Sequence, residues 1–327
     1  MQTTKITTVL FLALATQMVA CGSENPGDTM DSSFDRTQLS DFDAVPAMIQ
    51  HPESGEPSQD LMDLGETLFK EPRLSIDDTI SCNSCHNLDG FGVDGLQFSL
   101  GVEGQLGGRN APTVFHAAGH HAQFWDGRAV DVEEQALGPI TNPVEMGMPD
   151  GDTVVAKLEG IPEYVEAFAA VFPEEANPIT FDNVGRAIGA FERGLTHPTQ
   201  WDTFLGGDDK ALTDAEINGL QRFIDTGCND CHFGTYMGGS MFTKLGAAKA
   251  WPDLVEDEGR KQVTGNEEDS FVFKTPSLRL ISHTGPYLHD GSISDLHEVV
   301  MKMAEFQNGV MLSEEEADEI VTFLNAL

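Results

Sequence analysis

Cys82-Asn83-Ser84-Cys85-His86 and Cys228-Asn229-Asp230-Cys231-His232 repeat one pattern, Cys-x-x-Cys-His, within a chain of 327 residues. Two thiols three positions apart can form thioethers to the two vinyl groups of one porphyrin, and the adjoining imidazole reaches the iron as an axial ligand. Each motif therefore reads as the attachment site of one covalent c-type haem. Cys82, Cys85, Cys228 and Cys231 are the thioether carriers, and His86 and His232 are the iron ligands. A zinc site is the first competitor, but the separation of Cys85 from Cys228 far exceeds the spacing of a zinc knuckle. Thioredoxin-like redox chemistry is the second, and two copies each followed directly by His disfavour it.

The elements that must hold these motifs read as helices. Phe181, Val184, Ile188, Phe191 and Leu195 recur at the spacing of one buried helical face. Thr213-Asp214-Ala215-Glu216 and Ser313-Glu314-Glu315-Glu316 are capping boxes, each followed by an apolar stripe. No long alternating pattern argues for a sheet. At about 150 residues per domain, the length suits two domains. The expected fold is all-α, with two cytochrome c-like haem domains: an N-terminal one over residues 61–200 and a C-terminal one over 201–327. His197-Pro198 and Gly206-Gly207 punctuate the junction.

Against 54 Asp and Glu stand 18 Lys and Arg, a formal net charge of −36. Such a surface repels phosphate backbones, which excludes nucleic acid as a partner. It attracts a basic protein or a cation by steering that weakens with salt, and it equally suits solubility in salty surroundings.

Residues 1–21 read as an export signal, with Lys5 before an apolar run shorter than the roughly 20 residues a spanning helix needs. Met18-Val19-Ala20-Cys21-Gly22 resembles the lipobox of bacterial lipoproteins, with Met18 in place of the usual Leu. Cys21, the fifth and odd cysteine, would then carry a lipid, the only membrane attachment expected. Residues 22–60 are rich in Ser, Asp, Pro and Glu and read as a flexible acidic tether. The expected compartment is the periplasm.

From about Leu64 to Leu327 the chain resembles the bacterial di-haem cytochrome c peroxidase family. The resemblance rests on both haem motifs and on Leu64-Gly65-Glu66-Thr67-Leu68-Phe69, Pro72-Arg73-Leu74-Ser75, Arg109-Asn110-Ala111-Pro112-Thr113, Gln123-Phe124-Trp125-Asp126-Gly127-Arg128, Phe191-Glu192-Arg193, Pro276-Ser277-Leu278-Arg279 and Pro286-Tyr287-Leu288-His289-Asp290-Gly291. It implies reduction of hydrogen peroxide to water with two electrons from a small c-type cytochrome or a copper protein (cupredoxin). The N-terminal haem would meet peroxide and the C-terminal haem would receive electrons. Met303 matches the distal ligand of the second haem. After the N-cap candidate Ser294, Leu296, Val300 and Met303 also share one helical face, whereas Met301 points elsewhere. Glu145 and Gln135 match the peroxide-handling residues: a carboxylate can move a proton between the two oxygens, and an amide can hold the peroxide by hydrogen bonds. Trp125 matches a Trp between the haems. Asn110, Thr284 and Pro286 match positions around an inter-domain calcium ion, which takes oxygen ligands. Family members are often homodimers.

The chain departs from the family pattern in two places. Where many members close the resting peroxidatic haem with a His on the loop before Arg109, this chain has Val102, and Leu96 to Gly108 contains no His. The expectation is a first haem with an open or water-filled sixth position even when oxidised, His116, His120 and His121 being the nearby substitutes. Leu280 stands where Asn is common. His289 is read as a partner for a propionate of the second haem, and His51, His197, His283 and His297 as surface or core polar groups. Two competing functions follow from the same residues. A di-haem electron carrier needs no Glu145 or Gln135, and the related maturation enzyme that oxidises tryptophans in methylamine dehydrogenase carries Tyr where this chain has Met303.

Overall fold

The computed structural model describes residues 34–252 and 257–327, so the signal segment and Cys21 lie outside the described residues. The chain divides into two units, Met1–Asp35 and Arg36–Leu327.

The helices of the second unit are α1 (Gln59–Phe69), α2 (Cys82–Cys85), α3 (Val132–Thr141), α4 (Gly151–Glu159), α5 (Pro162–Val171), α6 (Phe181–Arg193), α7 (Gln200–Leu205), α8 (Asp214–Asp225), α9 (Lys261–Thr264), α10 (Leu296–Lys302) and α11 (Glu314–Leu324). Strands among the described residues are short: β1 (Phe242–Lys244) pairs antiparallel with β2 (Val272–Lys274), Thr243 facing Phe273. The fold is mostly helical, as the spacing of apolar residues implies.

Two helix packings frame the motifs. In the first, α6 lies against α1 and α3. Val184 and Ile188 are fully buried on the stripe read from the sequence, with Ala187 beside them. The helix stops at Arg193, and Leu195 packs on the same core from beyond its Gly194 cap. In the second, α8 lies against α11, and both begin with the expected capping boxes, at Thr213 and Ser313. Each crossing is closed by a glycine. A Cβ on Gly65 of α1 would fall 1.9 Å from the Ala187 carbonyl of α6, and one on Gly219 of α8 would fall 2.0 Å from the Glu319 carbonyl of α11. At such distances no side chain fits, so the backbones of both pairs touch directly.

The segment following Asp35 corrects the expectation of a flexible tether. Arg36–Leu39 forms a short 3-10 helix, and Leu39, Phe42 and Ile49 are buried. The Ile49 N–H donates to Arg193 O at 3.0 Å, and Asp41 O accepts from Gly234 N–H at 2.7 Å. Three apolar anchors without periodicity suffice to lay an acidic segment on the body, because each fills a separate gap. Phe42, for example, meets Trp201 edge-on. The junction near residue 200 is not loose either. Trp201 of α7 is fully buried, stacks on Phe204 and meets Phe323 of α11. Arg279, also fully buried, ties the region together by pairing with Asp202 at 3.0 Å and donating to Thr235 O and Asp43 O.

Candidate haem sites and active centre

In the first motif, α2 is a single turn that sets Cys82 and Cys85 on one side, and its N-cap Ser81 exchanges hydrogen bonds with Ser84. His86 follows directly, its Nδ1 3.3 Å from Gly92 O. In the second motif, a 3-10 turn over Cys228–Asp230 does the same work, and His232 Nδ1 lies 3.1 Å from Met237 O. A carbonyl only accepts, so each ring carries its proton on Nδ1 and keeps the Nε2 lone pair free, the arrangement that orients metal-bound imidazoles. Burial pulls the pKa of His86 down and that of His232 to about 4, so both are neutral, as a ligand must be. None of the four cysteines forms a disulfide, and burial pushes the Cys82 and Cys228 thiols up to about 12.

One cavity is lined by Cys82, Cys85 and His86 together with Cys228 and His232. Cys231 lies off this lining, near the Thr243 hydroxyl. Buried neutral imidazoles facing a cavity beside unpaired thiols fit haem groups at both motifs. They fall short of a structural zinc site, which takes four protein ligands, since each motif brings only two thiols and one imidazole.

The walls beyond the motifs differ. α3, capped by Asp131, turns Gln135, Ala136 and Pro139 toward the cavity. The loop after it turns in Glu145, between the buried Met146 and the Asn142 turn; Met146 N–H is bound to Pro139 O at 3.2 Å. Burial raises the Glu145 pKa, against the pull of Arg128 and an Asn142 hydrogen bond. Arg128 lines the same wall with its guanidinium 3.3 Å above the Phe124 ring centroid. Near the second motif, Leu296, Val299, Val300 and Met303 line the cavity and Met301 does not. The face read from the sequence is right, although the N-cap is Asp295, which accepts from the His297 N–H, and not Ser294. At Met303 the helix widens into a π-helix, Met303–Asn308, a distortion frequent at functional sites.

Trp125 lines the cavity too, its indole N–H donating to Asn110 O at 3.0 Å. Asn110, Thr284 and Pro286 all reach the same cavity. Asn110 spends its amide N–H groups on Leu96 O (2.9 Å) and Gln97 O (3.4 Å), which leaves its side-chain oxygen as the acceptor.

Residues 59–210 match the family model described as di-haem cytochrome c peroxidase. The chain is 41% identical to the cytochrome c551 peroxidase of Pseudomonas aeruginosa over 88% of this chain and 84% of that protein. It is 43% identical to the cytochrome c551 peroxidase of Nitrosomonas europaea over 82% of this chain and 80% of that protein. The chain belongs to the di-haem cytochrome c peroxidase family. Among solved structures, this peroxidase is similar to a MauG-like protein associated with microbial copper homeostasis, with a TM-score of 0.76 and 28% identity, covering 86% of this chain and 93% of that one.

The peroxidase's two departures acquire physical meaning in the structure. Val102 is 3% exposed and absent from the cavity wall, and its N–H donates to Glu145 O at 2.8 Å. The loop that elsewhere brings a His is thus docked onto the segment that carries Glu145. Of the three substitutes, His116 is fully buried with Nε2 accepting from the His197 N–H at 2.9 Å. His121 is off the cavity wall, against Phe242, and only His120 lines the cavity. Leu280 has φ +61°, a left-handed conformation that Asn tolerates better than Leu, which accounts for the Asn common there. His289 is buried against Phe273, off the cavity wall, with Nε2 making no hydrogen bond and lying 3.9 Å from the Asp257 carboxylate.

Sequence reasoning gave no role to Glu192, Arg128 or Lys274. All three line the cavity, and burial lifts Glu192 to about 8. Glu192 and Arg128 stand inside recognised blocks, which was a usable signal. Lys274 had none, since a lysine on a short strand is normally solvated.

Proposed function

We propose that the peroxidase reduces hydrogen peroxide to two waters with two protons and two electrons, the electrons coming from a small c-type cytochrome or cupredoxin. In this reading residues 61–200 form a peroxidatic haem domain around His86, and residues 201–327 form an electron-transfer haem domain around His232 and Met303. The observation that carries it is the unequal wall. Glu145 and Gln135 share the cavity with His86, and Met303 shares it with His232. Each haem, when bound, supplies an iron that changes oxidation state by single electrons.

The residues divide the remaining work. Gln135 donates through its amide to hold peroxide. Glu145, as carboxylate, takes the proton from one oxygen and returns it to the other as the O–O bond breaks, which makes the departing group water. Its raised pKa suits both directions, because a group that titrates nearer neutral pH gives and takes protons with less cost. Met303 would offer its thioether sulfur to the iron of the second haem, where thioether ligation would raise the potential of an electron-accepting centre. Trp125, in the wall of the same cavity, serves as a packing residue and a relay for electrons. Because residues 96–108 contain no His and Val102 carries no donor atom, no imidazole of this loop closes the peroxide site, and the oxidised enzyme is ready without prior reduction.

Calcium at the Asn110 side-chain oxygen and the Thr284 and Pro286 carbonyls belongs to the same proposal, because oxygen-only donors suit a hard cation; treatment with EGTA then lowers activity, and added calcium restores it. So does a homodimer, supported by the exposed side chains of Leu100 and Leu106 on the loop that Val102 anchors. Export to the periplasm and a lipid on Cys21 rest on the sequence. Among the described residues no helix is long and apolar enough to cross a membrane.

The deciding experiment is a stopped-flow mix of the fully oxidised protein with hydrogen peroxide. Rapid reaction supports the ready site; reaction only after the second haem is reduced would show that some other group closes the iron. Reaction in neither state would favour the electron carrier.

A further inference from the structure

One basic pair in the cavity wall has no acidic partner among the described residues and no part in the peroxide chemistry. Lys274, on β2, is 8% exposed. Its backbone N–H donates to Trp125 O at 2.7 Å, its Nζ donates to Ala122 O at 2.9 Å, and the same Nζ stands 3.4 Å from His120 Nδ1. Asp126 acts on it only at longer range, and burial pulls the ammonium down to about 8.

His120 completes the arrangement. An ammonium has donors only, so the His120 nitrogen facing it must accept, which puts the imidazole proton on Nε2. That Nε2 is buried and unpartnered, and both side chains line the cavity. The site therefore offers two unspent donors, the third N–H of Lys274 and the Nε2–H of His120. Buried charge of this kind is costly unless an opposite charge meets it, and the group that satisfies two donors and one positive charge is a carboxylate. A protonated Nε2 also has no lone pair for iron, so His120 is not the missing distal ligand.

Two residues beyond the end of β2, Pro276 lines the cavity together with His232, and its backbone acts on the His232 imidazole. This sets the pair on the side of the second motif. We propose that Lys274 and His120 together bind a propionate carboxylate of the haem carried by Cys228 and Cys231. This rests on the di-haem reading and adds two positioning residues to it. Through the Lys274 backbone the strand is bound to the Trp125 segment, so the anchor couples the placement of the second haem to Trp125.

The test uses the full holoprotein and the variants Lys274→Met, Lys274→Arg and His120→Leu. Haem content by pyridine haemochrome comes first, since a wild-type value below two haems per chain would overturn the di-haem reading and this proposal with it. With two haems present, the expectation is that Lys274→Met and His120→Leu each shift the propionate-bending band in the resonance Raman spectrum. Each also lowers the midpoint potential of the second haem, because an uncompensated carboxylate disfavours the added electron, and leaves the first haem's potential in place. Lys274→Arg restores both readouts. An unchanged band and potential in Lys274→Met and His120→Leu would overturn the proposal. So would loss of a low-spin signal in His120→Leu, which would make His120 an iron ligand.

Discussion

Glu145 and Glu192 act on Cys82 at close range, and Gln135 and Arg128 line the same cavity, whereas α10 with its partner α11 contributes Val300, Met303, Ile320 and Leu324. The near side of each motif is built alike: a single turn presents the thiols, a backbone carbonyl holds the imidazole Nδ1, and a helix crossing too tight for any side chain but glycine supports it. The difference lies in the rest of the cavity wall. Under the proposed function, Glu145 and Gln135 serve a small polar substrate, and one thioether among aliphatic groups, with Lys274 and His120 beyond them, serves electron exchange. One motif would then serve two purposes, set by residues far from it in sequence.

Breaking the polar wall has the largest expected effect. Glu145→Gln keeps shape but removes the proton carrier, and peroxide turnover falls about 10²–10⁴-fold, the usual worth of a positioned acid–base group. Steady-state assay checks this, with an unchanged potential at the second haem showing that the two regions are independent. An equal loss of electron uptake would erase the distinction between the walls.

Met303→His is the next test. It replaces the thioether sulfur with an imidazole nitrogen donor, so the potential of that haem falls, and donor-dependent turnover drops while the reaction of the prereduced protein with peroxide persists. Spectroelectrochemical titration together with single-turnover kinetics separates the two.

A smaller change comes from Trp125→Phe, which removes the indole hydrogen bond to Asn110 and keeps an aromatic ring. Transfer of electrons between the two regions slows several-fold, read by following reoxidation of the second haem after mixing with peroxide. No change would leave Trp125 as packing alone.

The smallest effect concerns stability. Glu192 is held near pKa 8 by burial and by the neighbouring Glu133, above the ordinary carboxylate value. Its contribution is complete below pH about 4.5, where the carboxyl is protonated in both folded and unfolded chains, and is lost as pH rises toward 8. At about 1.4 kcal/mol per unit the loss is at most a few kcal/mol. Urea midpoints of wild type and Glu192→Gln should therefore diverge with rising pH, the variant keeping the flatter profile. Parallel profiles would show that Glu192 ionises as freely when folded as when unfolded.

Much of this arrangement was legible in the sequence, for reasons that differ by residue. The haem motifs are local and their covalent geometry leaves little else they can do. The face of Leu296, Val300 and Met303 followed from helical spacing, and the stripe on α6 from the same rule. The packed course of residues 36–57 was not legible, because its composition is that of a linker and its three anchors have no period. Nor was the cost at Leu280, whose left-handed backbone is imposed by the turn around it.

Two Cys-x-x-Cys-His motifs and a helical frame were settled along the chain, since these depend on residue spacing and on periodicities of a few residues. Folding alone docked the Val102 loop onto the segment that carries Glu145, and it brought Glu145 and Met303 into the wall of one cavity. It also brought together Lys274 and His120, 154 positions apart, with their donors unspent. Those outcomes depend on which backbone carbonyl accepts which N–H and on what burial withholds from water, and neither is written in the spacing of residues along the chain.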